Sequence, residues 1–87
     1  MNWTVYILRC ADDSLYTGIT TNLERRIDEH NNDDLKGAKY TRARRPVSLA
    51  YQEACKDRSN ATKRELQLKR LSRAKKISLL NSHLENP

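Results

Sequence analysis

The sequence has no phenylalanine, only two cysteines and no long hydrophobic run. Its longest purely apolar run near the N-terminus is VYIL at 5–8, far shorter than the roughly 20 residues that a membrane-spanning helix requires. No leader with basic residues before an apolar stretch precedes that run. We therefore expect a cytoplasmic protein with no membrane partner.

The scarcity of cysteine excludes a fold held together by a framework of disulfide bonds. Cys10 and Cys55 lie far apart in the sequence, and neither has the CxxC or Cys/His spacing of a metal site or redox motif. Because free cysteine usually packs as a small hydrophobic side chain, we expect both thiols to be structural.

What is present is a small, basic chain. Its 87 residues are 37% hydrophobic and 32% charged, which is typical of one globular domain and not of disorder. We predict that this domain spans 1–82 and that 83–87 form a tail. The formal net charge of +6 favours a polyanion as partner. Charge alone is also typical of ribosome-associated and other small basic proteins.

The apolar pattern predicts an α+β domain in which helices pack against a three-stranded antiparallel sheet, in the order β-β-α-β-α-α. The basic stretch at 35–45 fits either a helical turn or an ordered loop. The predicted strands are 3–9, 14–19 and 46–55, and the predicted helices run from about 22 into the NNDD cluster at 31–34, from about 59 to 71, and over 74–84.

Capping residues place the starts of two helices. Thr21 and Glu24 have the spacing of a capping box, which predicts that the first helix starts at about Asn22. Asp57 or Ser59 would cap the second helix.

One carboxylate falls on the side of the second helix that should face the protein. At about 100° per residue, Glu65 lies within the arc spanned by Ala61, Leu68 and Ser72. A carboxylate there is costly unless it is paired or holds a metal ion. The alternatives are a position at the rim of the core, or an ion pair with Lys69 that is worth only about 0.3–0.5 kcal/mol.

The first helix carries Arg26 and His30 on one side, where His30 continues an apolar stripe formed by Leu23 and Ile27. Together they supply a fixed cation beside a group that exchanges protons near neutral pH. The alternative is a partly buried histidine beside a solvated arginine.

The predicted hairpin contains two of the four tyrosines, Tyr6 and Tyr16. Side chains alternate between the faces of a strand, so a loop of odd length places both on one face and a loop of even length separates them. Strand propensity alone also explains both residues.

A basic run crosses the ambiguous segment without an acidic residue. Cations with an aromatic residue between them can follow a phosphate backbone and stack on a base, and a solvated charged face is the alternative. The run consists of Lys36, Lys39, Tyr40, Arg42, Arg44 and Arg45, and a second cluster consists of Lys69, Arg70, Arg73, Lys75 and Lys76.

In combination these residues resemble the GIY-YIG nuclease family. VY at 5–6, YTG at 16–18, Arg26, His30 and Glu65 carry the resemblance, together with KGAKYTRARRPV and the ending KREL–LKRLSRAKK. It extends through essentially the whole chain and is closest to short standalone bacterial members. The sequence departs from the motif at Thr4, in place of the first glycine, and at Thr17, but it keeps both tyrosines.

The resemblance implies a metal-dependent DNA endonuclease that leaves a 5′-phosphate and a 3′-hydroxyl, with repair or recombination as the associated pathways. It implies that Tyr6 and Tyr16 are the motif tyrosines, Gly18 the close-approach glycine, Arg26 the catalytic arginine, His30 its helix partner and Glu65 the metal ligand. We count Gly18, the basic run and Lys69 as substrate-binding.

Phosphodiester hydrolysis explains why such residues would be needed. One Mg²⁺ or Mn²⁺ ion binds through one or two carboxylates plus the phosphate, so Glu65 alone is sufficient. The guanidinium of Arg26 matches phosphate oxygens. Tyr6 would be the general base, with a pKa lowered by Arg26 and the metal. His30 would assist proton transfer and Tyr16 would position the water or phosphate, although other divisions of these roles stay open.

Two alternatives to the nuclease are a nucleic-acid-binding module that cleaves little and a basic RNA- or ribosome-associated protein. The complete set of five site residues favours cleavage, because a binding module does not need it. We expect no small-molecule cofactor beyond the divalent ion. Since no attached DNA-binding domain is recognised, we predict that phosphate contacts and DNA shape, not base sequence, determine binding.

Overall fold

The computed structural model describes residues 2–85. Its elements are β1 (Trp3–Arg9), β2 (Leu15–Thr20), α1 (Leu23–Asn32), α2 (Lys39–Arg42), β3 (Ser48–Cys55), α3 (Arg58–Lys69) and α4 (Arg73–Glu85). The three antiparallel strands form one sheet in the order β2-β1-β3. This confirms the predicted α+β architecture, and the ambiguous basic stretch contains one helical turn, α2.

The start of α1 corrects the predicted capping box. The cap is Asn22, whose side-chain oxygen accepts a hydrogen bond from the Arg25 backbone N–H at 3.1 Å, and not Thr21. Asn22 has the extended backbone and the short polar side chain that reach the N3 amide. Asp57 caps α3 as one of the two predicted candidates.

Helix α1 ends at Asn32, inside the NNDD cluster as predicted. The ends of the other two long helices differ slightly from the predicted ones, since α3 ends at Lys69, earlier than predicted. Helix α4 continues to Glu85, so its backbone includes part of the predicted tail. Residues 86–87 of that tail lie outside the described residues.

The hairpin register places both tyrosines on one face of the sheet. Tyr6 lies opposite Gly18, and Leu8 lies opposite Tyr16. The connecting loop, Cys10–Ser14, has an odd number of residues. The register therefore meets the condition that a shared site requires.

The two faces of the sheet bury separate sets of side chains. One core contains Val5, Ile7, Tyr51, Leu68 and Leu80, so α3 and α4 contribute to it. The other contains Tyr6, Leu8, Cys10 and Val47, with Leu23 and Ile27 of α1 packed against them. The candidate active site includes residues of this second core.

The remaining expectations concern cysteine and membranes. Both cysteines are free, Cys10 buried and Cys55 half-buried. Within residues 2–85, no helix is both long and apolar enough to cross a membrane.

Candidate active site

Tyr6 lies across the edge strand β2, with its hydroxyl directly over Gly18. A Cβ atom at Gly18 would lie 2.5 Å from Tyr6 Oη and 2.7 Å from Cζ. Any larger residue would displace the buried ring. The structure thus gives Gly18 a packing role beneath Tyr6.

His30 is fully buried and contacts Tyr6 directly. Its Nε2 lies 2.9 Å from Tyr6 Oη, and its Nδ1 lies 2.8 Å from Thr41 Oγ1. The ring of Tyr16 meets that of His30 edge-on, with 5.1 Å between centroids. The structure therefore brings three of the predicted site residues into one cluster.

Arg26 lies beside the Tyr6 hydroxyl and is itself held firmly. Its Nη1 donates to Glu29 Oε1 at 2.9 Å and to the carbonyl oxygen of Lys36 at 2.6 Å. The Glu29 side chain is only 18% exposed. The i,i+3 spacing of the two residues was the signal that could have identified the pair.

Burial keeps both proton-exchanging groups neutral at pH 7. It raises the pKa of Tyr6 to about 12, a direction that Tyr16 and Glu65 reinforce and that Arg26 only partly opposes. Arg26 lowers the pKa of Tyr6 as expected, but burial raises it by more. The contribution expected of a metal ion stays a prediction. Burial, followed by the positive charge of Arg26, lowers the pKa of His30 to about 4.

Glu65 reaches the cluster from α3. Its side chain is 18% exposed, and its Oε2 forms an ion pair with Lys69 Nζ at 3.4 Å. Its charge is near enough to Tyr6 to raise the pKa of that hydroxyl. The carboxylate is thus paired along the helix, and its charge also acts on the Tyr6 hydroxyl.

The donor set around Glu65 fits one divalent ion and does not form a complete protein cage. Among the described residues, no three histidine, cysteine or acidic side chains are grouped as they would be around a metal. Mg²⁺ commonly binds through a single carboxylate, waters and substrate phosphate. Glu65 can supply one such carboxylate, whose present partner is the Lys69 ammonium.

The basic run divides into structural and exposed members. Arg45 donates to the carbonyl oxygens of His30 at 2.7 Å and Asp33 at 3.0 Å, and it pairs with Asp34 at 2.8 Å. It therefore closes the C-terminal end of α1, and its guanidinium is already occupied. These contacts give Arg45 a structural role, and its part in substrate binding stays a prediction.

Tyr40 is also less available than the run suggested. The Arg44 guanidinium lies 3.9 Å from the centroid of its ring, and the Tyr16 ring stacks against it at 6.0 Å. Arg44 pairs with Asp12 at 3.2 Å, so acidic residues from outside the run neutralise part of it. The expected stacking of Tyr40 on a base would first require Arg44 to move.

Exposed cations remain on two sides of the cluster. Lys36, Lys39 and Arg42 are exposed, although the Arg42 Nη1 also donates to the carbonyl of Asp34 at 2.8 Å. In the second cluster, Arg73 reaches the hairpin loop and donates to the carbonyl of Asp13 at 2.9 Å. Its neighbours Lys69, Arg70 and Lys75 are exposed.

Thr41 is the residue that sequence reasoning missed. It is fully buried between His30 and the carbonyl oxygen of Ala38. In the sequence it lies between Tyr40 and Arg42, and its position within a basic run is the only signal that the sequence gives for it.

Comparison with known proteins gives consistent results. Residues 2–78 match the family model described as the GIY-YIG catalytic domain. UPF0213 protein DP2720 of Desulfotalea psychrophila is 59% identical over 80 residues, which cover 92% of this chain and 72% of that protein. UPF0213 protein SH2523 of Staphylococcus haemolyticus is 53% identical over 76 residues, with 87% of this chain and 90% of that protein covered.

Two solved structures are similar to the chain. The solution NMR structure of EF2693 from E. faecalis has a TM-score of 0.63 and 43% identity, and the match covers 100% of this chain and 92% of that one. The solution NMR structure of UPF0213 protein BH0048 from Bacillus halodurans has a TM-score of 0.59 and 47% identity, with 93% and 84% covered.

Proposed function

The chain belongs to the GIY-YIG catalytic domain family, and on that premise we propose that it is a metal-dependent endonuclease that hydrolyses DNA phosphodiester bonds. The main support is the Tyr6 hydroxyl, which lies between His30 Nε2 at 2.9 Å and the Arg26 guanidinium, within range of the Glu65 charge. A purely structural tyrosine would not need both a neutral histidine and an arginine at its hydroxyl oxygen.

The protonation states suggest how the water is activated. Because the pKa of Tyr6 is about 12, a phenolate is too rare at pH 7 to be the resting base. The attacking water instead gives its proton to Tyr6 Oη as the hydroxyl proton passes to His30 Nε2. His30 can accept it because its low pKa keeps Nε2 unprotonated before the reaction.

Phosphoryl transfer follows from this proton movement. The water oxygen bonds to phosphorus while the bond to the 3′ oxygen breaks, giving a 5′-phosphate and a 3′-hydroxyl that takes a proton from solvent. Arg26 neutralises the charge that develops on the phosphoryl oxygens, once its contacts to Glu29 and the Lys36 carbonyl give way to the phosphate. Tyr16, packed on the His30 ring, positions the water or the phosphate.

Glu65 would hold the single Mg²⁺ or Mn²⁺ ion. When bound, the ion supplies Lewis-acid charge stabilisation to the phosphate. Lys69, which pairs with Glu65 in this structure, would then be released toward a substrate phosphate.

DNA binding in this proposal depends on the exposed cations. Lys36, Lys39 and Lys69 contact phosphates, which fixes the position of DNA without reading its sequence. We therefore propose that the protein selects DNA by its structure. We also propose that it acts in the cytoplasm and, as the family resemblance implies, in repair or recombination.

One observation favours a second candidate, a nucleic-acid-binding module with little cleavage. Arg26 is already engaged by Glu29 and the Lys36 carbonyl, so its use in catalysis requires those contacts to change. A basic RNA- or ribosome-associated protein is a separate alternative, in which RNA would bind in preference to DNA.

The test incubates the purified protein with duplex, flapped, branched and single-stranded DNA, with and without Mg²⁺. We expect Mg²⁺-dependent cleavage of at least one structured substrate, with 5′-phosphate ends, and its loss in Arg26→Ala. RNA is added as a competitor at equal salt. Displacement of DNA by RNA without any cleavage would favour the RNA- or ribosome-associated protein.

A further inference from the structure

A buried chain of hydrogen bonds continues from His30 into the basic segment. His30 Nδ1 lies 2.8 Å from Thr41 Oγ1, and Thr41 Oγ1 lies 3.0 Å from the carbonyl oxygen of Ala38. Both His30 and Thr41 have no exposed surface, so water does not complete these bonds. The helical turn α2 thus meets the proton-exchanging residue through one hydroxyl group.

The ends of this chain determine its direction. The Ala38 carbonyl can only accept, so the single Thr41 hydroxyl proton points to it and Thr41 Oγ1 accepts from His30 Nδ1–H. At the other end Arg26 can only donate to Tyr6 Oη, which leaves the Tyr6 proton for His30 Nε2. Both ends give the same arrangement, with the His30 proton on Nδ1 and a lone pair on Nε2.

We propose that Thr41 is a positioning residue that fixes His30 in the Nδ1–H tautomer and so keeps Nε2 free to accept the Tyr6 proton. Its catalytic consequence rests on the function proposed above, whereas the tautomer does not. Without the Thr41 acceptor, His30 would leave a buried N–H unpaired or would move its proton to Nε2, where it blocks transfer from Tyr6.

Other groups around His30 do not supply this acceptor. Tyr16 presents a ring, Arg26 is a cation, and Glu29 is engaged by Arg26. Arg45 donates to the His30 carbonyl. Thr41 is the partner of Nδ1 in the described structure.

Nitrogen-15 NMR of the histidine ring tests the tautomer directly, with His30→Gln identifying its signals. We expect the wild type to show Nδ1–H, Thr41→Val to shift the population toward Nε2–H, and Thr41→Ser to restore it. A wild-type ring protonated on Nε2, or a Thr41→Val ring unchanged on Nδ1, would overturn the proposal. If valine prevents folding, Thr41→Ala serves in its place.

Kinetics separate this proposal from the enzymatic one. We expect Thr41→Val to lower kcat about 10- to 100-fold with little change in KM, and Thr41→Ser to retain most of the rate. A wild type that never cleaves contradicts the proposed function, and the tautomer measurement still decides the role of Thr41. Equal kcat in wild type and Thr41→Val would contradict that role.

Discussion

At the scale of single residues, the site combines deep burial with a short route for a proton. Tyr6 and His30 are both held neutral, and 2.9 Å separates the two atoms that share the proton. Neither residue is a strong base alone. In the proposed mechanism, their contact allows a proton to leave Tyr6 without a free phenolate.

Tyr6→Phe removes the hydroxyl and little else. We expect single-turnover cleavage to fall by about 10²- to 10⁴-fold, the usual contribution of a positioned acid or base. Unfolding free energy should fall by about 1–3 kcal/mol, because His30 Nε2 loses its buried partner. DNA affinity, measured by fluorescence anisotropy, should stay within about twofold if phosphate contacts dominate binding. Cleavage at the wild-type rate would exclude Tyr6 from proton transfer.

Gly18→Ala should displace Tyr6 without changing any polar group. The new methyl would lie 2.5 Å from Tyr6 Oη, so the ring must move away from His30. We expect Gly18→Ala to lower the free energy of unfolding, as measured by urea unfolding, and to abolish cleavage in the protein that remains folded. A folded Gly18→Ala variant that cleaves at the wild-type rate would contradict the role of the Tyr6 position.

At the scale of elements, arginines fasten the basic segment onto α1. Arg26 donates to the Lys36 carbonyl, Arg42 to that of Asp34, and Arg45 to those of His30 and Asp33. These bonds hold α2 in place, which positions Thr41 against His30. The segment therefore contributes Thr41 to the buried side of the site, while Lys36 and Lys39 remain exposed to solvent.

Arg45→Met and Lys39→Met should separate these two uses of basic residues. Arg45→Met removes several charge-assisted bonds and should lower the unfolding free energy by about 2–3 kcal/mol. Lys39→Met, at an exposed position, should change stability by less than about 0.5 kcal/mol but weaken DNA binding. Urea unfolding and anisotropy titrations measure the two effects. The assignment fails if Arg45→Met is as stable as the wild type.

Sequence patterns predicted elements and residue types better than they predicted contacts. Hydrophobic periodicity predicted the order of the strands and helices, and the family motif singled out both tyrosines. The occupied state of Arg45 could not be predicted, because its partners on α1 come near only after the chain folds. The same holds for the buried contact of Thr41 with His30 and for the raised pKa of Tyr6, since burial is a property of the folded packing.

At the scale of the whole molecule, the net charge of +6 and the exposed lysines predict electrostatic binding of DNA. The logarithm of the binding constant should fall linearly with that of salt concentration, with a slope of about −0.9 per neutralised phosphate. Lys39→Met should reduce that slope by about one. Anisotropy titrations at several salt concentrations give the slope. No salt dependence would contradict phosphate-based binding.

Stability should depend on pH through His30. As pH falls below its ordinary pKa of about 6.5, the unfolded chain takes up a proton on this residue, whereas the folded chain resists until its pKa of about 4. Stability is therefore lost between these values, by up to about 1.4 kcal/mol per pH unit from this residue. Urea unfolding at several pH values should show this slope in the wild type and a smaller one in His30→Gln. Equal slopes would indicate that His30 titrates normally.

Single-turnover cleavage of a branched DNA duplex in Mg²⁺, comparing wild type, Glu65→Gln and Glu24→Gln, tests the enzymatic claim most directly. Glu24 is an exposed carboxylate on α1, so its variant controls for the loss of one charge. We predict that the wild type and Glu24→Gln cleave alike and that Glu65→Gln is slower by at least about 10²-fold, since metal binding supplies several kcal/mol of charge stabilisation. A wild type that does not cleave, or a Glu65→Gln variant that cleaves as fast, would contradict the account.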